Sequence, residues 1–182
     1  MELFSVKLPI IKKNDSLLEI IFQAFKEQGI ALKERDVIVI SEKIVATSQG
    51  RIIHLNDVKK ISKKAKKLAE KYEMDPRFVE LILREATMVL GGLPHVLLAK
   101  VNDFLIANAG IDQSNAGQDN VVLLPENPKK EVWNYWKKFK DKYKINELGV
   151  IFADSRVQPL RKGTIGVAVA TAGFEPIEDL RG

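Results

Sequence analysis

The sequence predicts a mixed α/β (α+β) domain, a mixed β-sheet covered by helices. Short apolar runs of strand length alternate with amphipathic stretches of helical period, and most of those stretches are long enough to cover a sheet face. No internal repeat, low-complexity tract or Pro/Gly/Ser linker divides the chain. At 182 residues it can bury a sizeable core as one domain or two small lobes. The expectation is a single domain over 1–182.

Residues 2–7 read as a strand ending at Pro9. Ser16 and Glu19 have capping-box spacing ahead of Leu17, Leu18, Ile20, Ile21, Ala24 and Phe25, and Gly29 is the helix stop. Residues 37–40 form a short buried strand, and Gly50 punctuates the chain before 51–55. Val58, Ile61, Ala65, Leu68 and Tyr72 then recur at steps of three and four, a helix whose opposite face is lysine. Asp75-Pro76 reads as an N-cap with proline in the first helical position, opening a helix through Arg84. Gly91-Gly92 breaks the chain, and strands are expected at 95–100, 103–107, 120–124, 148–153 and 164–170. Between 120–124 and 148–153, Val132, Trp133, Trp136 and Phe139 mark a second lysine-rich amphipathic helix.

Composition removes whole classes of chemistry. With no cysteine, disulfides, thiolate zinc sites, iron–sulfur clusters and thiol nucleophiles are excluded, so any metal sits on oxygen or on the two histidines. No basic n-region with an apolar h-region opens the chain, and no apolar run approaches the roughly 20 residues that span a bilayer; the expected location is cytoplasmic, with no membrane partner. The net charge of +5 is local: residues 59–71 carry seven lysines against Glu70, and 129–144 carry seven against Glu131 and Asp141. Two solvated lysine faces account for it, and a nucleic-acid binder built on those helices stands as a third reading.

Three apolar strands run into polar clusters: 38–40 into Ser41-Glu42-Lys43, 104–107 into Asn108 to Asn115, and 150–153 into Asp154-Ser155-Arg156, followed by Pro159-Leu160-Arg161. Asp112 and Asp154 could share a hard cation, since nucleotide-bound magnesium takes one or two carboxylates plus phosphate oxygens. Ser155 would add a hydroxyl, with Arg161 and Lys43 neutralising phosphate charge. Taken alone, each aspartate reads first as a turn or cap residue, since Asp favours such positions for local hydrogen bonding. Neither standard phosphate loop occurs, and His54 and His95 lack metalloprotease or triad context.

The segment Asn108-Ala109-Gly110-Ile111-Asp112-Gln113-Ser114-Asn115 closely resembles the A-N-A-G-I-D-x-S-N signature of the coenzyme F420-0:L-glutamate ligases, the F420 γ-glutamyl ligase family. Further blocks fall in order over the whole chain: Leu8-Pro9-Ile10-Ile11, Ser41-Glu42-Lys43-Ile44-Val45 with Gly50-Arg51, Asp75-Pro76-Arg77, Leu123-Leu124-Pro125, Asp154-Ser155 with Pro159-Leu160-Arg161, and Asp179 to Gly182. The D-S-x-x-x-P-L-R form resembles the archaeal branch. The resemblance implies an α/β fold, a close homodimer, and a GTP-dependent amide ligase that adds L-glutamate to a deazaflavin coenzyme precursor through an acyl phosphate. It assigns Mg²⁺ or Mn²⁺ to Asp112, Asp154 and Ser155. It assigns GTP contacts to Leu8, Pro9, Ile10, Ile11, Glu42, Lys43 and Asn115. Arg161 joins Asp112 and Asp154 as a catalytic candidate.

Two features depart from the family pattern. Thr47 stands where many members have a lysine near the nucleotide, and relatives continue beyond the D-x-R-G motif that ends here at Gly182. The expectation is therefore an N-terminal core lacking an extension, a poor ligase alone, completed by a separate chain or else a non-catalytic nucleotide- or partner-binding homologue.

Overall fold

A computed structural model of the chain describes residues 2–102, 104–113, 119–157, 160 and 162–181. In chain order the elements are α1 (Leu17–Glu27), β1 (Asp36–Ser41), α2 (Glu42–Ser48), β2 (Ile52–His54), α3 (Lys63–Tyr72), α4 (Pro76–Glu85), β3 (Met88–Leu93), β4 (Val96–Val101), β5 (Phe104–Ala107), β6 (Asn120–Val122), α5 (Pro128–Tyr143), β7 (Leu148–Val157) and β8 (Thr164–Ala172). Short 3₁₀ turns occupy Leu55–Asp57 and Asn108–Gly110. They form two compact units, Met1–Arg51 with Pro125–Gly182, and Ile52–Leu124. The mixed α/β class holds: β1 and β7 are parallel, β7 and β8 antiparallel, while β3-β4-β5 and β2-β6 are antiparallel.

In the first unit the sheet order is β1-β7-β8. Ile38, Ile40, Leu148, Val150 and Phe152 bury one sheet face against Leu17, Ile21 and Phe25 of α1 and Val132, Tyr135 and Phe139 of α5. Aromatic edges lock the layers, with Phe22 meeting Phe139 at 5.3 Å and Tyr135 meeting Phe152 at 5.2 Å between ring centroids. Helix α1 ends as its sequence dictates: Gly29 adopts φ 66°, and the N–H of Ile30 reaches back to the Phe25 carbonyl at 2.8 Å. Its start differs from expectation. Ser16 occupies the N-cap position but its side chain makes no capping bond, so the capping box does not form. The preceding turn is held by Asp15, whose Oδ2 accepts the Lys12 N–H at 2.7 Å.

The expected strand at 2–7 is also absent, because among the described residues it has no ladder to join. One side chain substitutes at a single position: Gln28 accepts the Lys7 N–H at 3.0 Å and donates to the Lys7 carbonyl at 2.8 Å. Leu3 and Phe4 are left exposed. Helix α2 was not expected, since the polar run 41–43 reads as a turn; the chain passes straight from β1 into the helix, burying Val45 and Ala46 completely.

The second unit packs α3 and α4 on β3-β4-β5 around Phe78, Val79, Leu81, Ile82, Leu97 and Ala99. Both helices are capped by side chains: Ser62 Oγ accepts the Ala65 N–H at 3.1 Å, and Asp75 Oδ1 accepts the Arg77 N–H at 2.7 Å. The Ser62 cap starts α3 at Lys63, later than the apolar period implies, so Val58 and Ile61 join the core from outside the helix. Gly91 and Gly92 do not break the chain. They lie inside β3, beside a register shift between Val89 and Gly91 that absorbs the irregularity.

Candidate functional site

Parallel pairing runs from Asp36 opposite Leu148 to Ser41 opposite Ala153. The next residue on each chain segment is a carboxylate, Glu42 where β1 turns into α2 and Asp154 where β7 continues. Register alone therefore sets these two side by side. The Glu42 side chain is 0% exposed, with Lys43 Nζ 2.8 Å from Oε1. Neither Glu42 oxygen has a partner of good hydrogen-bond geometry despite its complete burial. Burial pushes the Glu42 carboxyl up to about 8; Lys43 opposes that shift, and the adjoining Asp154 carboxylate adds to it. Asp154 is held in turn by Arg156, whose Nε lies 3.0 Å from Oδ2, with both side chains 10% exposed. The result is a line of four charged side chains, the adjacent carboxyls of Glu42 and Asp154 flanked by Lys43 on one side and Arg156 on the other.

Strand alternation explains the last pair. Asp154 and Arg156 are two residues apart on β7 and share a face with Phe152, whereas Ser155 is directed to the other face and is exposed. Asp154–Arg156 lie inside β7 rather than beyond its end, which corrects the expected strand of 148–153. Arg156 was not among the sequence candidates; its signal was the two-residue spacing from Asp154, legible once the strand is carried to Val157.

The Leu8–Ile11 segment belongs to the same unit. Leu8 and Ile11 pack against the core while Pro9 and Ile10 are exposed, Ile10 at 87%. The segment is tied near α2 by the Asn14 N–H, which donates to the Ser48 carbonyl at 3.0 Å, and by the Lys13 side chain crossing Gly50.

In the second unit the signature residues divide their work. Asn108, Ala109 and Gly110 take φ of 50°, 54° and 72°, three left-handed residues in succession. Asn108 Oδ1 fixes the turn by accepting the Leu97 N–H at 2.9 Å, and Ala109 is buried. Asp112 follows on a single antiparallel bridge to Val122, its N–H and carbonyl both paired at 2.9 and 2.8 Å. The Asn108–Leu97 bond and the Asp112–Val122 bridge thus hold these left-handed residues in the loop that presents the aspartate. Asp112 and Asp154 belong to different units, and Asn115 and Arg161 lie outside the described residues.

The remaining candidates are structural. His54 Nδ1 accepts the Asn56 N–H at 3.2 Å, and His95 Nδ1 bonds the Glu73 carbonyl at 2.8 Å. On α5, Lys140 lies over the Trp136 ring at 4.4 Å and Lys142 over Phe22 at 5.5 Å, stems covering apolar surface. A hollow of about 500 Å³ bordered by Phe22, Lys26, Ile30 and Tyr143 contains none of the site residues. Among the described residues no helix is long and apolar enough to cross a membrane.

The oxygen-only donors Glu42 and Asp154 suit a hard divalent ion such as Mg²⁺ or Mn²⁺, and the adjoining Lys43 suits phosphate. Comparison with known proteins gives a consistent picture. A family model described as F420-0:Gamma-glutamyl ligase matches residues 5–182. A "Coenzyme F420:L-glutamate ligase" of Methanopyrus kandleri is 34% identical over 173 residues, covering 94% of this chain and 66% of the relative. Its namesake from Methanothermobacter thermautotrophicus is 35% identical over 176 residues, covering 96% and 69%. That from Halorubrum lacusprofundi is 32% identical over 189 residues, covering 100% and 70%. The chain thus spans about two thirds of the length of these relatives.

Proposed function

The chain belongs to the F420-0:Gamma-glutamyl ligase family, and from that premise we propose that it carries the core of a ligase joining L-glutamate to coenzyme F420-0 at the expense of GTP. The observation that supports this reading is the Lys43–Glu42–Asp154–Arg156 line at the end of the parallel β1–β7 pair, the place in an α/β sheet where ligands gather. In the proposed reaction a carboxylate of the deazaflavin precursor attacks the γ-phosphate of GTP, the bond to the β-phosphate oxygen breaks and GDP leaves. The glutamate amine then attacks the acyl phosphate carbon, loses a proton, and inorganic phosphate departs as the amide forms.

Asp112 and Asp154 would hold Mg²⁺ or Mn²⁺, which supplies charge neutralisation for the phosphates; Ser155, directed to the other face of β7, would serve a second ion of a pair. Glu42, Lys43, Asn115 and the Leu8–Ile11 segment would line the nucleotide, Leu8 and Ile11 as core anchors and Pro9 and Ile10 as the exposed contact surface. Lys43 and Arg161 would meet phosphate oxygens as charge develops. The setting is proposed to be cytoplasmic.

The test is mass-spectrometric detection of glutamylated product from GTP, Mn²⁺, F420-0 and L-glutamate. It is run on this chain and repeated with added polypeptide matching the remaining third of the relatives. Product that disappears with GTP omitted, and falls on the order of a hundredfold in Asp112→Asn and Asp154→Asn, is the expected outcome. GTP binding without turnover under both conditions would favour the non-catalytic nucleotide-binding reading instead.

A further inference from the structure

Glu42 poses a chemical problem. Its position beside Lys43 puts it on the nucleotide side, yet a buried carboxylate facing phosphate oxygens is an anion against an anion in a poorly solvated place. Its side chain is fully buried. Lys43 occupies Oε1, while Oε2 receives no hydrogen bond, and the neighbouring group is another carboxylate, Asp154. Asp154 repeats the pattern: Arg156 Nε lies 3.0 Å from Oδ2, and the Asp154 carboxyl also comes within hydrogen-bonding reach of the Glu42 carboxyl. Two poorly solvated carboxyls thus face each other, each with a cationic side chain on its other flank. Two adjacent oxygen donors of this kind suit a hard divalent cation, whose other positions take water and phosphate oxygens.

We infer that Glu42 is a metal ligand alongside Asp154, offering Oε2 to the cation that Asp154 also meets. The assignment rests on the metal-dependent reading above and extends it. A cation between Glu42 and the nucleotide turns an unfavourable anion–anion contact into a bridged one. Arg156 keeps its place on Asp154 Oδ2, orienting that ligand from behind, while Lys43 stays beside Glu42 on the side where phosphate oxygens would enter.

The experiment is a Mn²⁺ titration followed by electron paramagnetic resonance on the 182-residue chain, comparing wild type with Glu42→Gln and Asp154→Asn, each checked by circular dichroism for an intact fold. Glu42→Gln is isosteric and should weaken Mn²⁺ binding by about tenfold or more. A second measurement needs no variant: in wild-type protein with ¹³C-labelled glutamate carboxyls, Mn²⁺ should shift a labelled carboxylate band in the infrared difference spectrum. Wild-type Mn²⁺ affinity in folded Glu42→Gln, or a difference spectrum with aspartate bands alone, overturns the assignment of Glu42 while leaving Asp154 as a ligand. A wild-type chain that takes no Mn²⁺ overturns the metal-dependent reading and this assignment together.

Discussion

At Gly110 an added methyl group would sit 2.8 Å from Leu124 Cγ and 3.0 Å from Ile106 Cδ1, on a backbone at φ 72°. Left-handed strain of roughly 1–2 kcal/mol adds to overpacking of about 1–3 kcal/mol. Gly110→Ala should therefore lower the unfolding free energy by about 2 kcal/mol or more, read from the urea midpoint at unchanged slope; an unshifted midpoint would show that Leu124 yields at little cost. The conformational demand explains why the signature contains asparagine at 108 and glycine at 110, two residues that tolerate positive φ. It does not explain Ala109, which takes the same conformation with its methyl buried. Residue type thus announced a special loop at 108–112. That Asn108 would brace Leu97, and that Asp112 would bridge Val122, depends on strands remote in the chain.

Among the elements, α4 is the one whose boundaries were plainest in the sequence, since Asp75 and Pro76 each supply a local reason to start a helix. Asp75→Ala removes the cap and should cost about 1 kcal/mol at neutral pH. The Arg77 guanidinium beside Asp75 also holds its carboxyl below the usual aspartate range. A group with a depressed folded pKa adds stability above its unfolded pKa and loses it as pH falls through the folded value. The difference between wild type and Asp75→Ala should accordingly narrow on acidification, measured by thermal melts in a pH series; a constant gap down to pH about 2 would mean the carboxylate charge contributes nothing. Helix α2 shows the opposite situation. Its first residues, Glu42 and Lys43, carry no capping side-chain bond from Ser41, and the helix is held by burial of Val45 and Ala46. No local signal marks such a start, so a polar turn was the natural reading.

For the whole molecule, apolar side chains remain uncovered on the sheets of both units: Val37 and Val39 on β1, and Met88, Leu90 and Leu105 in the second unit. Uncovered apolar surface of this kind marks association surfaces, and we expect a homodimer, read as twice the chain mass by light scattering at micromolar concentration; a monomer mass would contradict it. By itself the sequence determined the alternation of strands and helices, the stops at Gly29 and Gly50, the cap at Asp75 and the family, because each is written in side-chain period, backbone preference or a contiguous motif. Tertiary structure decided what the residues do together. Residues 2–7 have strand-like side chains but, among the described residues, no ladder, and so remain irregular. Glu42 and Asp154 meet because β1 pairs with β7 in one register, Ser41 against Ala153. A pairing between distant segments is settled by the burial of a whole sheet face, and no local pattern encodes it.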